Sequence, residues 1–76
     1  MSLEKQVNQI LNNFDKVEST RIIEILTSIQ PHLKSKITQE YLRGKIQTVA
    51  DSPSEIEKKK ICKTLKPYFY WYLQGK

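Results

Sequence analysis

The chain is poor in the residues that usually build catalytic or metal-bound centres. It has one cysteine, Cys62, and one histidine, His32. A single cysteine allows no internal disulfide, so a reducing compartment, the cytoplasm, is the expected location. Structural zinc takes four Cys or His ligands, and only these two exist. A nucleophile needs a base held beside it. No carboxylate or second imidazole stands at a helical spacing from His32 that suggests a triad. Gly44 and Gly75 are too far apart to form a phosphate-cradling loop. These gaps predict a protein that is not an enzyme, with no metal, cofactor or small-molecule substrate. Cys62 is expected to be a small buried hydrophobe, and His32 a surface residue at a helix end beside Pro31.

Long apolar runs are missing too. The longest is Tyr68-Phe69-Tyr70-Trp71-Tyr72-Leu73, far below the roughly twenty residues of a membrane span. The opening residues, Met1 to Lys5, lack the apolar stretch of a secretory signal. No membrane association is expected.

With 76 residues, the chain suits one domain, 1–76, burying about 60–65% of its unfolded surface. Function therefore belongs on the outside of the fold. The apolar share of 38% and charged share of 28% are those of a globular protein. Thirteen Lys and Arg face eight Asp and Glu, for a net charge of +5. Residues 1–38 hold five bases and four acids, and residues 39–76 hold eight and four. A field biased in this way points to an anionic partner.

The apolar spacing is helical almost throughout. Leu3, Val7, Ile10, Leu11 and Phe14 share one stripe about 100° wide. Ile22, Ile25, Leu26, Ile29 and Leu33 form a second stripe, about 100° out of phase with the first. The chain must therefore turn near Glu18, with Ser19 or Thr20 as the new cap. Pro31 ends or kinks the second helix. Ile37, Tyr41, Leu42, Ile46 and Val49 mark a third helix, capped by Ser35 or Thr38. Gly44 inside it suggests a close backbone approach or a marginal helix. Ser52-Pro53-Ser54-Glu55 reads as a capping box, with Ser52 at N-cap and Glu55 at N3. The expected fold is all-α: a small antiparallel bundle of about four helices. Their spans are roughly 3–17, 20–30, 36–50 and 53–73, the last broken at Pro67.

The C-terminal quarter carries the functional signal. Lys58, Lys59, Lys60, Lys63 and Lys66 precede Tyr68-Phe69-Tyr70-Trp71-Tyr72, which holds five of the seven aromatics. On one helix, Ile61, Cys62, Leu65, Phe69, Tyr72 and Leu73 would face the core, with Tyr68 at the margin. Lys59, Lys63, Lys66 and Tyr70 would line an outward face flanked by Lys60 and Trp71. Lysines neutralise phosphates, and exposed rings stack on unpaired bases. The expected function is contact with DNA or RNA without strong sequence preference, as an auxiliary subunit of a replication or transcription assembly. A different class of reading is a protein-interaction adaptor or self-associating bundle. Its contacts would be Tyr68, Tyr70, Trp71 and Tyr72, with a larger protein or a second copy as partner. A weaker motif is a helix-turn-helix formed by the second and third helices, exposing Gln39, Arg43 and Gln47 to base edges.

Overall fold

In the computed structural model, which describes residues 2–74, Ser2 opens the first helix. Its hydroxyl accepts the Lys5 N–H at 3.2 Å. Helix α1 (Leu3–Asn12) stops well short of the expected residue 17. The Asn13 side chain donates to the Gln9 carbonyl at 3.2 Å, and its backbone N–H bonds to Gln9 and Ile10. Asparagine favours such local bonds over continuing a helix. A 3₁₀ turn at Phe14–Lys16 then carries Phe14 into the core.

The chain reverses at Val17 and Glu18, where the phase shift between stripes requires it. Helix α2 (Ser19–Ile29) begins with no side-chain cap from its own N-cap residue, Glu18. Neither Ser19 nor Thr20 caps it as expected, since both are already helical. Pro31 ends it in a second 3₁₀ turn, Gln30–His32. Helix α3 (Lys36–Asp51) is capped by Ser35, whose hydroxyl accepts the Thr38 N–H.

Helix α4 (Glu55–Thr64) starts two residues later than expected. The cap is Ser54, accepting the Glu57 N–H at 3.2 Å, rather than Ser52 with Glu55. Both pairs share the Ser-x-x-Glu spacing, and Glu55 is drawn elsewhere. The anticipated break falls at Leu65 (φ −98°, ψ 1°), followed by α5 (Lys66–Gln74). Pro67 has no N–H and would crowd the Lys63 carbonyl in a continuous helix. The last expected helix is thus two.

The result is an all-α bundle, with no strand among the described residues. Helix α2 is central and touches each of the other four helices. Its whole stripe, Ile22, Ile25, Leu26, Ile29 and Leu33, is buried. Val7, Ile10 and Phe14 close one side, and Cys62, Leu65, Tyr68 and Phe69 another. A radius of gyration of 11.6 Å matches the roughly 11 Å of a compact chain this long.

Helix α3 departs from expectation. Only Leu42 and Val49 of its stripe are buried, with Ile46 packed against the core. Ile37 is 82% exposed and Tyr41 59%. They sit about 140° and 100° round the helix from Leu42, outside the contact arc. Gly44 has no heavy atom within 4 Å of where a Cβ would stand, so no backbone approaches it.

Candidate nucleic-acid interface

The five consecutive aromatics divide by helical geometry. Phe69 and Tyr68 point into the core, and Tyr72 is half-buried with its ring 6.2 Å from that of His32. Tyr70 and Trp71 remain 49% and 51% exposed. Tyr68 and Tyr72 therefore offer little surface to a partner. Burial raises the Tyr68 phenol pKa, and the neighbouring Tyr41 raises it further. Trp71 packs edge-on against Tyr68, with centroids 5.1 Å apart. The indole is thereby held in place while its outer surface stays in solvent.

Consecutive residues lie about 100° apart on a helix, so Tyr70 and Trp71 look toward different neighbours. Tyr70 follows Lys66 by one turn, on the edge near the first 3₁₀ turn. Trp71 lines a cleft of about 400 Å³ with Leu33, Lys34, Ser35, Thr38 and Gln74.

The α4 lysines do not form the free outward strip their spacing suggests. The Lys59 ammonium donates to the Val17 carbonyl and lies 5.6 Å from the Phe14 ring centroid. Lys66 sits over the same ring at 4.5 Å. Lys63 pairs with Asp15 at 3.8 Å, both side chains largely exposed, an arrangement that stabilises little. Lys59 and Lys66 are half-buried, as is Lys58, whereas Lys60 and Lys63 are exposed. The i, i+4, i+7 stripe of lysines is thus the seam between α4, the start of α5 and the turn after α1. Long aliphatic stems cover apolar surface there while their heads find π-faces and a carbonyl.

A second basic and aromatic surface lies across α5. On α3, the Lys45 ammonium stands 5.3 Å from the Tyr41 ring, with Ile37 one turn earlier. Lys34 and Lys36, both exposed, flank the Ser35 cap at the cleft that Trp71 lines. The residue order singles out none of Lys34, Lys36 and Lys45, and its apolar spacing places Tyr41 in the core; the i, i+4 spacing of Tyr41 and Lys45 is the signal that brings those two together.

The helix-turn-helix reading loses its first base reader. The Gln39 amide donates to the Leu33 carbonyl at 2.6 Å and more distantly to Pro31. The Gln30 amide in turn donates to the Gln39 carbonyl at 3.0 Å. These bonds lock the α2–α3 connection. Arg43 pairs with Glu40 at 3.6 Å, and Gln47 bonds to Asp51 at 3.1 Å.

Cys62 is fully buried, and desolvation pushes its thiol pKa up to about 11, the opposite of an activated thiolate. No group of three metal-ligating side chains comes together among the described residues. No described helix is long and apolar enough to cross a membrane. No known family matches the chain, and no curated protein or solved structure shows significant similarity to it.

Proposed function

We propose that this is a non-catalytic protein of the cytoplasm that contacts DNA or RNA without strong sequence preference, as an auxiliary subunit of a replication or transcription assembly. The main support is Trp71: a half-exposed indole, braced from behind by Tyr68 and bordered by Lys34. A flat ring in a positive field offers stacking to any base and charge to any phosphate. Lys34 at the same cleft and Lys45 on α3 supply the field. Base-edge readout has little support, because Gln39 is committed to the fold.

The chain has one tryptophan, so its fluorescence reports on this site alone. Adding an oligonucleotide should quench it, with a Kd that weakens steeply between about 50 and 200 mM salt. Emission indifferent to both single-stranded and duplex oligonucleotides would overturn the proposal.

A second reading rests on Ile37. An aliphatic side chain 82% exposed adds nothing to base stacking and suits an apolar protein surface or a second copy of the chain. Salt-tolerant association that disappears in Ile37→Ser and Trp71→Ala would favour an adaptor.

A further inference from the structure

We propose that the cleft between α3 and α5 is the seat of an unpaired strand, with one base stacked on Trp71 and its phosphates running along Lys34 and Lys45. Lys59 and Lys66 then serve chiefly to brace the fold. This rests on the nucleic-acid reading above and adds to it the strand type and the path.

Three observations converge on the cleft. The first is shape. At about 400 Å³ it falls within the range of small-ligand pockets, and it offers one wall of indole. The other walls carry Ser35, Thr38 and Gln74, whose polar groups suit base edges without demanding one sequence.

The second is charge. From Pro31 to Gln39 the chain carries His32, Lys34 and Lys36 and no acid. The next acid, Glu40, is paired with Arg43. On α3, Thr38 at the cleft and Lys45 are seven residues apart on one face, about 10 Å, the length of about three stacked nucleotides. Tyr41 stands between them with Lys45 over its ring.

The third is the engagement of the alternative cations. Lys59 and Lys66 are held against Val17 and Phe14, so moving them to phosphates would break contacts inside the bundle. Lys34 is exposed and lines the cleft without that penalty.

A base paired within a duplex keeps its faces stacked on its neighbours, so the cleft selects single strands. The test uses an oligothymidine of about twelve nucleotides and a duplex of equal length. Each is titrated against the full chain by Trp71 fluorescence at several salt concentrations. The single strand should bind at least about fivefold more tightly than the duplex. Replacing Lys34 and Lys45 together with Gln should flatten the log–log salt slope by about 1.4, at roughly 0.7 per phosphate on a single strand. Replacing Lys60 and Lys63 with Gln should leave it nearly unchanged.

Equal affinity for the duplex would overturn the strand preference. A slope that responds to Lys60 and Lys63 but not to Lys34 and Lys45 would place the strand on α4 and sink the cleft, leaving nucleic-acid binding intact. Absence of binding to either oligonucleotide would remove the nucleic-acid reading itself, and the cleft proposal with it.

Discussion

Glu55, the first residue of α4, caps the start of α2. Its carboxylate accepts the Ser19 backbone N–H at 2.9 Å and the Ser19 hydroxyl at 2.7 Å, across 36 residues of sequence. Helix α2 lacks a local cap, so this contact satisfies an otherwise orphaned donor at its start. The bonds hold the Glu55 carboxyl below its ordinary pKa of 4.5. A depressed carboxylate lends stability that is complete above its unfolded-state pKa and is lost as pH falls through the folded value. The native protein should lose part of its thermal stability below about pH 4.5, and Glu55→Gln should lose less over the same range. Melting curves between pH 7 and pH 3 on both proteins check this; parallel curves would remove the capping role.

Phe69 is fully buried beside Leu65 and Tyr68. Phe69→Ala should lower unfolding free energy by about 3–5 kcal/mol. For a chain whose total is about 4–11 kcal/mol, that removes about a third or more of the stability. Urea denaturation followed by circular dichroism measures the difference.

Gly44 lies inside α3 with open space around its would-be Cβ. Gly44→Ala should therefore stabilise the protein by about 1 kcal/mol through helix propensity alone. A lower urea midpoint in the variant would mean that something does approach this face.

The bracing role of the α4 lysines separates two neighbours. Lys59 donates to the Val17 carbonyl, whereas Lys60 is exposed. Lys59→Ala should cost about 1 kcal/mol, and Lys60→Ala should stay within about 0.5 kcal/mol. Equal effects in chemical denaturation would contradict the assignment.

Cys62 should resist alkylation in the folded state. A fully buried thiol with its pKa near 11 presents almost no thiolate at neutral pH. Labelling by iodoacetamide should track unfolding as urea is raised, and rapid labelling of native protein would show that α4 opens locally.

Much of the fold was legible in the residue order. The apolar stripes of α1 and α2, the reversal near Glu18, the Ser35 cap and the break near Pro67 all follow from local physics. Each depends on neighbours within about four residues, where periodicity and capping act. The split of the aromatic run was foreseeable as well, since five successive rings at 100° intervals cannot share one core.

Other features only three dimensions could settle. Two Ser-x-x-Glu boxes compete around Pro53, and Ser54 wins because Glu55 is held by Ser19 of a distant helix. Nothing near either residue in the chain announces that partner. The lysine stripe at 59, 63 and 66 has the spacing of a solvent face, yet the turn carrying Phe14 and Asp15 packs against it. Tyr41 has the spacing of a core residue, yet α3 meets the bundle along a narrower arc and leaves the ring outside. Helical period assigns residues to a common face; which face meets the core depends on how the other helices pack, and that information is not local.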